Sequence, residues 1–213
     1  MDFIPSAGVL AAFTLAAAIL IITPGPDMTL FLSRALTQGR AAGFAAMLGA
    51  LSGVVVHTTL AALGLSALLA ASPRAFFAVK AAGALYLLWL AFQAILHGSA
   101  LTLERGEGPK HSWMRNWATG LGINLLNPKI ILFFVTFLPQ FVSAGDPHAP
   151  GQLAFLSFYF IALSIPSTGV MIIAADRFSA ALRSSRRLTR TIDWLCASIF
   201  GAFALRILLT QRH

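Results

Sequence analysis

Charged residues are scarce in this sequence: 10% of its 213 residues are Asp, Glu, Lys or Arg, whereas 58% are hydrophobic. Soluble globular domains carry about 25% charged residues and do not need apolar runs of about twenty residues. The chain is therefore not a soluble domain. It has the composition of an integral membrane protein, with room for about six membrane-spanning helices and little else.

Cysteine and catalytic motifs are also nearly absent. The single cysteine, Cys196, excludes an intrachain disulfide and a cysteine metal cluster. An intramembrane enzyme would need a nucleophile with its base, or a set of metal ligands. The sequence contains no His-Glu-x-x-His motif, no Gly-x-Ser-x-Gly motif and no pair of transmembrane aspartates. We therefore predict that the chain is not an enzyme and binds no metal or cofactor.

Six apolar segments are candidate membrane spans, at about residues 6–32, 41–71, 76–96, 117–142, 153–175 and 192–209. Each half then holds three spans, an odd number, so a duplicated half would be inserted upside down relative to the first. The predicted fold is an all-α integral membrane protein with six transmembrane helices in two inverted three-helix repeats. Repeat 1 covers about residues 1–98 and repeat 2 about residues 113–213, joined by a cytoplasmic linker at about 99–112.

The charge balance is basic, with 15 Lys and Arg residues against 7 Asp and Glu residues. A nucleic-acid surface would interleave basic and aromatic residues on one face, but these basic residues lie at the ends of apolar runs. Ten of them fall in the loops after spans one, three and five, and four fall on the other side. The positive-inside rule therefore predicts that both termini lie outside the cytoplasm and that the surroundings are membrane lipids, not nucleic acid.

Proline interrupts the first and fourth spans, at Pro24 and Pro26 and at Pro128. Proline removes a backbone donor for which lipid offers no substitute, so such breaks are stable only inside protein or beside water. A charged residue follows each break, Asp27 and Lys129, and the two lie 102 residues apart. Transporters built from inverted repeats place their substrate site at paired breaks of this kind near the bilayer midplane.

The two charges suit their half-helices differently. Asp27 is favoured by the positive end of the helix dipole, so it either caps its own half-helix or binds a proton or an ammonium group. Lys129 opposes the dipole at the corresponding place, so another group must offset its charge. The predicted partner is either Asp27, across the pseudo-twofold axis, or an anionic group on the substrate. The alternative is a salt bridge that only joins the two repeats.

Polar and flexible residues accompany the charges. Gly25 permits a close approach or unusual dihedral angles, while Thr23 and Asn127 can satisfy freed peptide groups, a role that could be purely structural. Asn124 lies one turn before the second break and either does the same or faces a cavity. His57, deep in the second span, is either a packed side chain or a proton relay.

The predicted substrate and ion site therefore comprises Thr23, Gly25, Pro26, Asp27, His57, Asn124, Asn127, Pro128 and Lys129. Helix two also carries Gly49 and Gly53 at a spacing typical of close helix contacts. This contact lies either within one chain or between subunits, so a homo-oligomer is left open.

Four groups of residues together resemble the LysE/RhtB family of amino-acid exporters. They are Thr23 to Asp27, His57 with Leu60, Ala61, Gly64 and Leu65, Lys80 with Gly83, Ala84, Tyr86 and Leu87, and Asn127 to Lys129 with Phe137 to Phe141. The resemblance covers nearly the whole chain. It implies a bacterial inner-membrane protein that expels amino acids such as lysine, threonine, homoserine or homoserine lactone, driven by the proton gradient.

Two other functions share part of this pattern. A passive channel can have the same architecture, but it cannot accumulate cargo without a driving force on the cargo itself. A membrane scaffold would tolerate polar breaks, but it has no need of opposite charges at matching places in two halves. Amino-acid efflux, with protons as the coupling ion, is therefore the predicted function.

Overall fold

The computed structural model describes residues 4–65, 109–142 and 146–177, and single residues at 85, 88, 92, 180, 187, 190, 191, 194, 195, 197, 198, 201 and 202. Within these ranges the chain is helical, and they contain no strand. The predicted spans at 76–96 and 192–209, and most of the linker at 99–112, fall outside the described ranges. The arrangement as two inverted three-helix repeats therefore stays a prediction.

The first predicted span is two helices that meet at a break. Helix α1 runs from Ala7–Ile22 and helix α2 from Pro26–Gln38, and their axes differ by 51°. Pro26 has no N–H to continue the hydrogen bonding of α1. The first position of a helix needs no N–H, so the same residue can begin α2. Together the two helices are long and apolar enough to cross a membrane.

The second break repeats this geometry. Helix α4, Trp113–Leu126, is followed by the short helix α5, Pro128–Leu132, and the bend between α4 and the chain from Pro128 to Phe141 is 52°. A π-helical turn, Phe133–Phe137, and a 3₁₀ turn, Leu138–Phe141, continue the span. Helix α4 begins four residues before the predicted residue 117, because the Ser112 hydroxyl accepts the Arg115 N–H at 3.2 Å and caps it.

Two unbroken helices are long and apolar enough to span a membrane. Helix α3 is Arg40–Leu60, extended by a π-helical turn at Ala61–Leu65, and helix α6 is Ala149–Ile173. Counting each bent pair as one span, the described residues hold up to four spans, at the places where the first, second, fourth and fifth were predicted. Gly39 joins α2 to α3 with a φ of 92°, a left-handed conformation that glycine adopts without strain.

Helices α3 and α4 pack backbone against backbone. A Cβ at Gly49 would overlap the Trp117 carbonyl oxygen, and one at Gly120 would overlap the carbonyl of Ala46. A Cβ at Gly53 would lie 2.5 Å from Asn124 Oδ1. The close helix contact predicted from Gly49 and Gly53 is therefore confirmed, and it lies within one chain. Only residues without a side chain allow helices to approach this closely.

Aromatic side chains pack the other end of α1 against α6 and the π-helical turn. The Phe133 ring lies 6.1 Å from Phe13 and 4.8 Å from Phe160, measured between centroids. A hydrogen bond of 2.9 Å joins the hydroxyls of Thr14 and Tyr159. These contacts hold the first broken span against α6. Helix α6 therefore lies beside the two broken spans and can border the space between the breaks.

Candidate functional site

The two breaks contact each other through side chains. Lys129 Nζ, at the start of α5, donates a hydrogen bond of 2.8 Å to the Thr23 carbonyl oxygen, at the end of α1. Asn124 Nδ2, near the end of α4, donates one of 2.8 Å to Asp27 Oδ2, in the first turn of α2. Residues about a hundred positions apart in the sequence therefore form one site at the crossing of the broken spans.

The surroundings of Lys129 explain how a cation is held at the wrong end of a helix dipole. Its own N–H is capped by Asn127 Oδ1 at 3.0 Å, and its ammonium group reaches the carbonyl end of α1. The carbonyl end of a helix carries partial negative charge, which offsets the unfavourable position on α5. The described hydrogen bond ends on the Thr23 backbone carbonyl, and the pairing of Lys129 with Asp27 or with a substrate anion stays a prediction.

Asp27 has one satisfied and one unsatisfied oxygen. Oδ2 accepts the Asn124 amide, but Oδ1 is buried and accepts no hydrogen bond from the described residues. The hydrogen bond runs across to α4 and not back to α2, which gives no support to a purely capping role. Leaving a buried acceptor unsatisfied costs about 1–3 kcal/mol, and more when it is charged. The position therefore suits a ligand that brings a donor, such as an ammonium group.

Asn124 is held from three sides. Its side chain is 1% exposed, with Oδ1 packed on the bare backbone at Gly53 and Nδ2 bound to Asp27. In an unbroken helix its carbonyl would accept the N–H of residue 128, which proline lacks. The Asn127 N–H donates to that carbonyl at 3.1 Å instead, and His57 Nε2 lies 3.4 Å from it. The second break is therefore satisfied by α3 as well as by its own turn.

His57 lies one layer behind the charges. The imidazole is 9% exposed and stacks on the Phe134 ring, with 5.5 Å between centroids and 26° between planes. The packed role that the sequence left open is thus supported by two contacts. Its link to Asp27 passes through the Asn124 main chain, so a role in proton movement stays a prediction.

A cavity of about 70 Å³ lies between the breaks, large enough for several water molecules. Six of the nine predicted site residues line it: Thr23, Gly25, Asp27, Asn124, Asn127 and Lys129. His57 lies outside the lining, and Pro26 and Pro128 contribute by breaking the helices. Most of the other lining residues are apolar, among them Met28, Phe31, Met47, Leu51, Val54 and Phe160.

Gly25 has neither an unusual dihedral angle nor a contact too close for a side chain. Its φ of −172° and ψ of 179° describe extended backbone that any residue adopts, as expected before a proline. A Cβ there would lie 3.5 Å from Lys129 Cδ and 3.6 Å from Nζ, which is ordinary contact. An alanine at this position would therefore fit beside the lysine side chain.

Helix α6 adds two cavity residues that the predicted site did not include, Ser164 and Thr168. The Ser164 hydroxyl donates to the Phe160 carbonyl at 2.8 Å, and the Thr168 hydroxyl donates to the Ser164 carbonyl. Pro166, inside an apolar run and flanked by hydroxyl residues, was the sequence signal for this wall. Neither side chain is a metal ligand, and the described residues contain no group of three His, Cys, Asp or Glu suited to a metal.

Membrane-length helices broken around buried ionisable groups are a feature of secondary transporters. The sequence model of the LysE type translocator family matches residues 18–211, so the chain belongs to this family.

Several bacterial membrane proteins are similar in sequence. An uncharacterized membrane protein of Bacillus subtilis, YrhP, is 33% identical over 63% of this chain and 68% of its own length. The leucine efflux protein of Klebsiella pneumoniae is 27% identical over 93% of this chain and 94% of its own. The leucine efflux protein of an Enterobacter species is 27% identical over 92% of both chains. No solved structure matches the chain.

Proposed function

We propose that this protein exports an amino acid with an apolar side chain across the bacterial inner membrane, by alternating access coupled to proton entry. Family membership and the two leucine efflux relatives support export of an amino acid. The observation that carries the proposal is the buried Asp27 Oδ1, which accepts no hydrogen bond from the described residues and lies in the cavity with Lys129.

The charged groups of the site suit the two ends of a zwitterion. The substrate ammonium binds Asp27, whose Oδ1 accepts no hydrogen bond from the described residues. The substrate carboxylate replaces the Thr23 carbonyl as the partner of Lys129 and lies against the first turn of α5. An amino acid thus binds between the two breaks, and its carboxylate takes the place of the Thr23 carbonyl at Lys129.

The apolar wall favours an uncharged substrate side chain. Met28, Phe31 and Met47 lie on the α2 and α3 side of the cavity, and methionine adapts its shape to irregular ligands. Among the described lining residues Asp27 is the only carboxylate, so a second ammonium, as in lysine, would have no acidic partner there. A leucine-like side chain would replace water along this wall.

The proposed proton coupling uses the same carboxylate. When the site opens to the outside, protonation of Asp27 removes the charge that holds the ammonium, and the amino acid leaves. The protonated carrier returns, and Asp27 loses its proton to the cytoplasm before the next ammonium binds. One proton enters for each amino acid that leaves.

Efflux from proteoliposomes tests this proposal. Vesicles loaded with labelled leucine are given a pH gradient or none, and Asp27→Asn is compared with wild type. We expect gradient-driven efflux in wild type and its loss in Asp27→Asn. The matched control is Asp146→Asn, which changes a carboxylate outside the spans and should transport normally. Full proton-coupled efflux by Asp27→Asn would refute the assignment, and gradient-independent leakage in wild type would indicate a channel.

A further inference from the structure

A second cluster of polar side chains lies where α2 ends and α4 begins. Gln38 Oε1 accepts the His111 N–H at 3.0 Å and Asn116 Nδ2 at 3.2 Å, and Asn116 Nδ2 also contacts the His111 carbonyl at 3.4 Å. Asn116 is 1% exposed. These bonds fasten the end of the first broken span to the start of the second, on the side that the positive-inside rule assigns to the cytoplasm.

The cluster has three buried polar atoms to which the described part of the chain offers no hydrogen-bond partner: Arg34 Nε, Gln38 Nε2 and Asn116 Oδ1. The Gln38 and Asn116 amides are adjacent because they share a hydrogen bond, and Arg34 lies one turn before Gln38 on the same face of α2. Two of the three atoms are donors and one is an acceptor. Buried polar groups are normally satisfied, so this combination indicates a missing polar ligand.

The charge that the described residues place around these atoms is positive. Partial burial lowers the pKa of His111, and the positive charges of Arg115 and then Arg34 lower it further. The N-terminus of α4, whose partial charge is positive, begins beside His111. The described acidic residues are Asp27, Asp146 and Asp176, and none of them contributes to the shift. The ligand is therefore expected to carry a negative group.

The position of Arg34 relates this cluster to the cavity. Asp27, Phe31, Arg34 and Gln38 follow one another on one face of α2, and Phe31 lines the cavity. Arg34 is seven residues after Asp27, which is about 10 Å along the helix axis. A ligand at the cluster would lie one turn beyond the apolar wall of the central site.

We propose that Arg34, Gln38, Arg115 and Asn116 form a second binding site at the cytoplasmic end of α2 and α4, which captures the carboxylate of the amino acid before it enters the central cavity. Arg34 Nε and Gln38 Nε2 donate to the carboxylate, Arg115 attracts it, and Asn116 Oδ1 accepts from the ammonium group. The identity of the ligand as an amino acid rests on the proposed function, whereas the binding of a carboxylate at this site does not. A free phosphate or a lipid phosphate shares the oxyanion chemistry, so the test must separate these sources.

Thermal unfolding of the purified full chain, at constant ionic strength, tests the site directly. The probes are acetate, inorganic phosphate and phosphatidylglycerol. All measurements use a protein that carries Lys129→Met, so that binding of an anion to the central lysine does not contribute to the stabilisation. We expect acetate to raise the unfolding midpoint, Arg34→Gln to remove most of this rise and Arg34→Lys to remove part of it. Arg40→Gln, which removes an exposed positive charge on the same side, should leave the rise intact.

Transport supplies the second measurement. With leucine presented from the Arg34 side, Arg34→Gln should raise KM about tenfold, the effect expected for one charge-assisted hydrogen bond, with little change in kcat. An acetate effect that is equal in Arg34→Gln and Arg40→Gln would overturn the proposal. So would stabilisation by phosphatidylglycerol alone, which would assign the cluster to a lipid headgroup. If wild type moves no amino acid but the acetate result holds, the proposed export function fails while the anion site stands.

Discussion

Gly53→Ala is the change that most directly tests how the site is held. The new Cβ would lie 2.5 Å from Asn124 Oδ1 and 3.0 Å from Asn124 Cβ and Cγ. An ordinary contact needs about 3.4 Å, so the carboxamide must move by about 0.9 Å. Movement of that size away from Asp27 would lengthen the 2.8 Å bond to about 3.7 Å, which is beyond the range of a hydrogen bond.

The expected loss follows from the strength of that bond. A hydrogen bond to a charged group contributes about 1.5–3 kcal/mol, which corresponds to roughly tenfold to a hundredfold in affinity. We therefore expect Gly53→Ala to weaken leucine binding by this factor while the protein still folds. Binding is measured by titration of the purified protein, and folding by its thermal midpoint.

Two other glycines provide matched controls. Gly122, on the same helix as Asn124, has nothing within 4 Å of an added Cβ, so Gly122→Ala should bind leucine normally. Gly49→Ala would overlap the Trp117 backbone, so it should lower the thermal midpoint by separating α3 from α4. In the Asn124→Ala background, Gly53→Ala should have a smaller further effect on binding, since the displaced amide is gone and only the 3.0 Å contact with the Cβ of residue 124 remains. Normal affinity in a stable Gly53→Ala protein would refute the role of Asn124 in holding Asp27.

Three further predictions follow from single contacts. Gly25→Ala should fold like wild type, whereas Gly39→Ala should lower the free energy of unfolding by about 1–2 kcal/mol. The reason is that, of these two glycines, Gly39 alone has a left-handed φ. Equal losses of stability for the two variants in chemical denaturation would contradict this. His57→Phe keeps the ring stack but loses the contact with the second break, so leucine affinity should fall by less than about tenfold. If His57→Phe lost proton coupling as completely as Asp27→Asn, His57 would instead be a proton relay. The His148 N–H, donating to Asp146, holds the pKa of that carboxyl below its usual value, so Asp146→Ala should lower the thermal midpoint at neutral pH. The difference in thermal midpoint between wild type and Asp146→Ala should disappear as the pH falls through the depressed pKa of Asp146. A difference that stays constant with pH would contradict this prediction.

Much of the architecture could be predicted because its causes are local. A run of apolar residues specifies a span wherever it occurs, and proline breaks a helix whatever surrounds it. The breaks at Pro24, Pro26 and Pro128 accordingly lie where they were predicted. The start of α4 was missed by four residues because the Ser112 cap is a weaker signal than the apolar run.

The sequence by itself determined that this is a helical membrane protein with a charge after each of two proline breaks, since chain composition and proline geometry act without tertiary contacts. Only the tertiary structure decided that Lys129 bonds to the Thr23 carbonyl, that Asn124 bonds to Asp27, and that Ser164 and Thr168 of α6 join the cavity wall. These contacts join helices far apart in the sequence. They depend on how closely α3 approaches α4 across Gly49 and Gly53, a distance set by the packing of whole helices against one another.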